Sequence, residues 1–370
     1  MKINILDAGI CYRAGHHYDY GLKTVKHYAQ AGHDVHVYGF AEMKDEVEAD
    51  FAPFAKVTRL FSTFPYHEPA EYDWYAGELA RLRIESGKIA EELKSVRDAE
   101  VWIWPTIRPP EIVACAVRGV EAPIVGCVYW DPGFEAGTID AQIWRDSLLA
   151  AQDAGLRLTL TSVEGELRHR FMRLVPDGRF AVVPHPVDGP PIPQRKTALK
   201  RVGFFGHQRE EKGANMMRSL LGRLVDDGYA ITFHNSDMDF PFPDVPGIDR
   251  LEYVEDIAVP IAACDLVVLP YDIKRYQARG SGILMECLAL GVPVTAPIGT
   301  LPARIIEQSG VGPLFRTNSV KPIYGAVKAA ERHYGVFASN AHRFAPNFCK
   351  HNGVGRFASA LLAAAVVEAS

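Results

Sequence analysis

The strongest constraint on this 370-residue chain is a rhythm that occurs twice. Short runs rich in β-branched and aromatic residues alternate with longer stretches of helical period. That alternation predicts parallel βαβ units in an open, doubly wound sheet. In the first half the strand-like runs are "KINILDA" (2–8), "DVHVYGF" (34–40), "VWIW" (101–104), "APIVGCVYW" (122–130), "LRLTLTS" (156–162) and "FAVVPHP" (180–186). Helices fall between them, the first in "GLKTVKHYAQAGH" from Gly21. The proline-dense stretch "PHPVDGPPIPQRKTALK" (184–200) interrupts the rhythm as an interdomain linker does. The rhythm then restarts with "RVGFFGHQ" (201–208), a helix over "ANMMRSLLGRLVDDG" (214–228), strands "YAITFHN" (229–235) and "CDLVVLPY" (264–271), a helix at Gly282 and the strand "VPVTAP" (292–297). From Ser319 onward the pattern is mainly helical. A chain of this length exceeds what one hydrophobic core usually supports, which agrees with two α/β domains.

Composition removes several function classes. The net charge of −5 disfavours a nucleic-acid binder. No basic segment precedes an apolar one at the start, and the longest apolar run near the end, "ALLAAAVV" (360–367), is too short to span a bilayer. The cysteines Cys11, Cys115, Cys127, Cys264, Cys287 and Cys349 are scattered, without a C-x-x-C pair. They read as reduced core residues of a cytoplasmic protein. No His, Asp or Glu cluster has ligand spacing, so no metal is expected. The Walker pattern is absent, and no G-x-G-x-x-G follows the first strand, which argues against P-loop and nicotinamide chemistry.

Two motifs in the second half point to an anionic ligand. In "QARGSGILMECLALGVPV" (277–294) a helix begins on Gly280, Ser281 and Gly282 directly after a strand. A helix N-terminus presents unpaired N–H groups and the positive end of the dipole, and glycines let a ligand approach them closely. The same residues also suit a plain capped helix with Ser281 as N-cap. Glu286 lies about one turn inside. Its neighbours are apolar, so its charge calls for a partner, and a forked carboxylate suits a ribose diol. The second motif, "GFFGHQREEKG" (203–213), ends a strand at Gly206 and carries His207, Arg209 and Lys212 into a helix. Such cations would clamp a diphosphate; a solvated charged turn would read the same way.

These two motifs, with "ACDLVVLPY" (263–271), resemble the C-terminal domain of the GT-B glycosyltransferases, in particular the retaining GT4-like group. "VVPHPVD" (182–188) is similar to that family's interdomain segment, and "RAGHHYDYGL" with "AGHDVHVYG" to its glycine loop, first helix and second strand. The resemblance covers nearly the whole chain. It implies two Rossmann-like domains across a cleft: residues 1–185 on the acceptor side, a linker over 186–200, a nucleotide-sugar domain over 201–345, and a helix in 346–370 returning to the N-domain. It implies that Lys212 and Arg209 contact the donor diphosphate, with His207 in the same loop. Residues Gly280, Ser281, Gly282 and Ile283 form the phosphate turn, Glu286 holds the ribose, Tyr253 and Val254 line the base, and Gly15 approaches the donor. The family usually has arginine at position 207, glutamate at Ala278 and histidine at Trp130. With that histidine missing, His16, His17 and Asp131 are the candidate catalytic residues.

The function so implied is metal-independent transfer of a sugar, with retention, from a UDP- or GDP-linked donor to a hydroxyl acceptor that is a glycan, a lipid-linked sugar or a small molecule, as in polysaccharide biosynthesis. No separate cofactor is expected. A nucleotide-sugar 2-epimerase and a non-catalytic nucleotide-sugar or glycan binder remain open on the same scaffold. Beyond the cleft, the aromatic stretch "LFSTFPYHEPAEYDWY" (60–75) is an acceptor-site candidate, and His185 reads as structural at the hinge. The basic helix "ELRHRFMR" (166–173) would suit weak peripheral contact with anionic lipid at the inner face of the membrane, or simple solvation.

Overall fold

The computed structural model describes residues 1–13, 15–65, 77–129, 139–187, 191–206, 208, 210–235, 243–252, 254 and 256–366. These residues form two compact units, one of Met1–Pro186 with the C-terminal helix and one of Val187–Gly353. The first unit runs β1 (Lys2–Leu6), α1 (Gly15–Gln30), β2 (Asp34–Phe40), α2 (Asp45–Phe51), β3 (Lys56–Phe61), α3 (Gly77–Glu92), β4 (Val101–Trp104), α4 (Pro109–Arg118), β5 (Ile124–Cys127), α5 (Ile139–Asp153), β6 (Leu158–Ser162), α6 (Gly165–Leu174) and β7 (Arg179–Val182). The second contains β8 (Arg201–Phe204), α7 (Met217–Asp226), β9 (Ala230–His234), β10 (Ile248–Leu251), α8 (Ala258–Ala263), β11 (Leu266–Val268), α9 (Gly282–Leu290), β12 (Val294–Pro297), α10 (Leu301–Ser309), β13 (Leu314–Phe315), α11 (Val320–Arg332) and α12 (Tyr334–His351). The last helix, α13 (Val354–Val366), returns to the first unit.

All strand pairings are parallel among the described residues, in the orders β3-β2-β1-β4-β5-β6-β7 and β10-β9-β8-β11-β12-β13. Parallel strands need helical crossovers that cover both faces, which is why their runs read as nearly continuous apolar sequence. Ile3, Ile5, Val101, Ile103 and Val125 are fully buried in one sheet, and Val202, Leu266, Val267 and Val294 in the other. The strand order reverses between β1 and β4, and again between β8 and β11. At such a switch the neighbouring crossovers leave on opposite faces, and a crevice opens beyond the carboxyl ends of the strands. Asp7 and Gly9 follow β1 at the first of these edges, and Gly206 follows β8 at the second.

Helix α13 completes the first core. Phe357, Ala358 and Leu361 pack with Ile3, Val25 and Val101, and the Tyr28 hydroxyl donates to the Ala358 carbonyl at 2.9 Å. The expected return of the C-terminal helix is thus present. It starts only after a break at Asn352 and Gly353, because α12 continues to His351 within the second unit. Val187 and residues 191–200 also belong to the second unit. Lys196 there donates to the carbonyls of Ala263 (2.6 Å) and Cys264 (2.9 Å) and pairs with Asp265 at 3.1 Å.

Local differences from the sequence expectation have simple causes. Strands β3 (KVTRLF) and β10 (IDRL) interleave charges, and β13 has two residues, so none shows a buried-strand run. The strand read through Trp130 ends at Cys127. Helix α1 starts at Gly15 rather than Gly21, because its first turn is built from Gly, His, His and Tyr, poor helix formers that hide the period.

Candidate functional site

The chemistry-bearing residues of the second unit gather beyond the carboxyl edges of β8 and β11. Gly206 has φ +103°, a conformation that requires glycine. A Cβ built there would stand 2.9 Å from Lys212 Nζ and 3.9 Å from Ile283 Cγ1. Bare backbone at Gly206 therefore lets the Lys212 ammonium lie beside the first turn of α9. The loop is fixed from below: the Gly206 N–H donates to His234 Nδ1 at 3.1 Å, Gln208 N–H to Asn235 Oδ1 at 3.2 Å, and Gln208 Nε2 to the His234 carbonyl at 2.9 Å.

Helix α9 opens on Ser281, whose hydroxyl accepts from Leu284 N–H at 3.2 Å while its carbonyl accepts from Met285 N–H at 3.1 Å. Among the described residues no acceptor meets the N–H groups of Gly282 and Ile283, and Gly282 is exposed. Two such donors, the helix dipole and a nearby ammonium are the groups that could seat an oxyanion, which makes this edge the candidate seat. Glu286 is half-buried one turn further on. Burial pushes the Cys349 and Cys287 thiols up, and the Glu286 charge adds to both shifts, which places that carboxylate near α12 as well.

Beneath the seat lies an aromatic support that the sequence reading missed. Tyr271 and Tyr276 stack with centroids 4.1 Å apart at 23°. The Tyr271 hydroxyl bonds Ser281 Oγ at 2.9 Å, fixing the capping rotamer. Burial, followed by the neighbouring Tyr276, pushes the Tyr271 phenol up, so it stays a neutral hydrogen-bonding group. Lys212 Nζ lies 5.8 Å from the Tyr271 ring centre and the Arg279 guanidinium 5.2 Å from that of Tyr276, within cation–π range. Ala278 is wholly buried, so this position is core and presents no side chain to a ligand. Val254 is half-buried after β10. His207, Arg209 and Tyr253 lie outside the described residues.

In the first unit the edge of β1 carries a second constellation. His17 Nδ1 lies 2.7 and 2.8 Å from the two carboxylate oxygens of Asp7, and the side chains are 6% and 1% exposed. Asp7 Oδ1 also accepts from Gly9 N–H at 2.8 Å. The imidazole lies flat against Gly9, where a Cβ would stand 2.3 Å from Nδ1. In the tautomer that donates Nδ1–H to Asp7, the lone pair of the ring is on Nε2. His16 stacks on His17 at 4.2 Å and meets Tyr129 at 5.1 Å. Gly15, with φ +71°, turns the chain into α1 and so sets both histidines.

Asp7 is the functional candidate overlooked in the sequence. Its only signal there is an acid placed directly after an apolar strand. Asp131 and Trp130 lie outside the described residues, as do residues 66–75 of the aromatic acceptor candidate. Of that stretch, Phe64 packs on Phe40 at 5.3 Å and on Tyr12 at 6.3 Å. His185 pairs with Glu164 at 3.4 Å, a buried contact that suits its structural reading. On α6, Arg170 pairs with Glu166 at 3.2 Å and Arg168 donates to the Phe180 carbonyl at 3.2 Å. No described helix is long and apolar enough to cross a membrane, and among the described residues no group of three or more His, Cys, Asp or Glu could hold a metal ion.

Over the whole chain the architecture matches solved structures. Anabaena Alr3699/HepE, crystallised in complex with UDP, superposes with a TM-score of 0.69 at 14% identity, covering 98% of this chain and 99% of that one. Sucrose-phosphate synthase from Thermosynechococcus elongatus gives 0.67 at 12% identity, covering 99% and 96%. The fold is GT-B. CalG4, the calicheamicin glycosyltransferase, shares it at a TM-score of 0.59 and 17% identity, covering 98% of each chain. In sequence, 67 residues are 43% identical to the GDP-mannose:glycolipid 4-beta-D-mannosyltransferase of Xanthomonas campestris pv. campestris. That match spans 18% of this chain and 18% of the relative's length. No family model matches the chain.

Proposed function

We propose that the chain is a glycosyltransferase that moves a sugar from a nucleotide diphosphate sugar, UDP- or GDP-linked, to a hydroxyl acceptor. The observation that carries this reading is the oxyanion seat: Lys212 beside Gly206, the outward N–H groups of Gly282 and Ile283, and Glu286 one turn inside. The likeness to a structure holding UDP and the short match to a GDP-mannose-dependent transferase support it.

In the reaction the bond from the anomeric carbon to the diphosphate oxygen breaks, and the electron pair leaves with the nucleoside diphosphate. Negative charge grows on that leaving oxygen. Lys212 and the α9 amides, preorganised in the seat, stabilise it more in the transition state than in the ground state. Glu286 accepts hydrogen bonds from the ribose diol, and Val254 and Tyr253 line the base. The acceptor oxygen forms the new bond at the anomeric carbon, and its proton goes to Nε2 of His17, oriented by Asp7. His16 contributes to sugar contact, and Asp131 to the acceptor side. No metal step is required in this scheme.

Retention follows from the GT4-like resemblance. One observation favours the other stereochemical outcome: a buried Asp7–His17 pair suits a base that deprotonates the acceptor for single displacement, which inverts the anomeric centre. Calorimetric titration with UDP, GDP, ADP and CMP tests the donor assignment, and binding of none of them would refute it. NMR of the product's anomeric proton decides the stereochemistry. Product formed from the donor alone, with no acceptor, would instead mark an epimerase.

A further inference from the structure

The tyrosine stack holds a second cation that the proposed reaction has not used. Arg279 stands one residue before the glycine turn, half-buried, with its guanidinium 5.2 Å from the Tyr276 ring centre. Tyr276 is 3% exposed and Tyr271 2%, so the stack is a fixed platform and not a surface pair. One ring of it aligns Lys212 and the other aligns Arg279, and through the Tyr271 hydroxyl the same stack sets Ser281 at the α9 cap. The loop is pinned at both flanks: Arg304 donates to the Gln277 carbonyl at 2.6 Å, and Tyr276 accepts from Leu301 N–H at 2.8 Å.

We infer that Arg279 is an oxyanion-binding side chain of the donor site, supplied from the helix side of the seat and aligned by Tyr276. The inference rests on the reading of this edge as a nucleotide-sugar site. A guanidinium parked on an aromatic face keeps its edge N–H groups directed away from the ring, and those donors suit the paired oxygens of a phosphate or a carboxylate. Rigid support matters because a long side chain immobilised before binding loses less entropy on contact. The local charge is consistent: residues 272–282 carry Lys274, Arg275 and Arg279 against Asp272 alone, in a chain whose net charge is −5. The anion is either the donor diphosphate or a carboxylate on the transferred sugar.

The test is calorimetry on the full chain with Arg279→Gln, Arg279→Lys and Tyr276→Leu, each checked for an unchanged thermal transition. The probes are uridine and guanosine, UDP and GDP, and the matching neutral hexose and hexuronic acid donors. If Arg279 binds the diphosphate, Arg279→Gln weakens the preferred nucleoside diphosphate tenfold to a hundredfold and leaves the nucleoside within twofold. If it binds a sugar carboxylate, the diphosphate is unchanged and only the hexuronic acid donor loses that factor. In either case Arg279→Lys restores part of the loss, and Tyr276→Leu reproduces part of it. Affinities within twofold for every probe with Arg279→Gln, while the parent protein binds nucleotide, overturn the assignment and leave the proposed function standing. A parent protein that binds no nucleotide overturns both.

Discussion

Replacing Asp7 by asparagine separates a catalytic role for the buried pair from a structural one. Asparagine has the same shape, and its Oδ1 can still accept the Gly9 N–H that Asp7 Oδ1 accepts at 2.8 Å. Its amide nitrogen, however, meets His17 Nδ1, which lies within 2.8 Å of both present oxygens. Two donors cannot face each other, and the ring cannot turn away because it lies flat on Gly9. The Nδ1 proton then has only the retained Oδ1, 2.7 Å away and shared with the Gly9 N–H, so the tautomer with the proton on Nε2 and Nδ1 accepting from the new amide is favoured. A charge-assisted bond becomes a neutral one, and the stability loss is about 1–2 kcal/mol. The effect on chemistry is larger, because Nε2 is then a donor and no longer a base. Turnover of the donor that calorimetry selects should fall about 10²- to 10⁴-fold. Nucleoside diphosphate affinity should not change, because the seat lies in the other unit. Denaturant unfolding, calorimetry and turnover give the three readouts. A variant that loses 1–2 kcal/mol but turns over normally would show that the pair only braces α1 against β1.

Glu286→Gln should weaken nucleotide binding by about 1.5–3 kcal/mol, the scale of a hydrogen bond to a charged group; full affinity in a folded variant removes the ribose assignment. Lys212→Met should reduce nucleoside diphosphate affinity more than nucleoside affinity, and equal losses would mark a packing effect instead. Gly291→Ala should lower stability by about 2 kcal/mol in thermal unfolding, because φ is +68° and the new Cβ would stand 3.1 Å from His342 Cα and 3.3 Å from the Ala341 carbonyl oxygen; an unchanged midpoint would mean that α12 can move off α9. His36 gives a pH signature: burial, then the charges of Arg97 and Lys56, hold its pKa down at about 4. Its folded state resists protonation, so its stability contribution is full above the unfolded value of 6.5 and is lost as pH falls from 6.5 to 4, about 3 kcal/mol in all; His36→Gln should flatten that acid limb in urea titrations, and an unchanged limb would place the lost stability on other groups.

The fold was legible because parallel sheets write themselves into sequence. Strands buried on both faces, such as Leu266–Val268 and Val294–Pro297, leave short apolar runs, and the crossover between them leaves a longer amphipathic one. The same physics hid Lys56–Phe61 and Ile248–Leu251, whose charged residues remove the run. Helix α1 was found six residues late for a related reason. Its first turn holds His16 and His17, which serve tertiary contacts and not helix propensity: His17 meets Asp7 just past β1, and His16 meets Tyr129.

Legibility of the site divides along the same line. Glycine is informative in sequence because few conformations demand it, so Gly206 and Gly282 stand out as a candidate seat, and a lone acid in an apolar helix makes Glu286 a candidate beside it. Tyrosine is not informative in that way. Tyr271 and Tyr276 look like ordinary core aromatics, and Asp7 at its strand edge is far in sequence from Trp102, which marks the neighbouring strand β4. What gives these side chains a role is a partner fixed only by tertiary structure: Ser281 Oγ at 2.9 Å for Tyr271, and His17 Nδ1 at 2.7 Å for Asp7. Both partners sit at the N-terminal end of a helix that follows a strand in a sheet of one hand. In such folds every crossover returns its helix start to the carboxyl edge of the sheet, so a polar residue just after one strand is carried toward the first turn of a helix. That rule converts an unremarked acid or tyrosine after a strand into a candidate supporting residue before any coordinates exist, and in this chain it selects Asp7 and Tyr271.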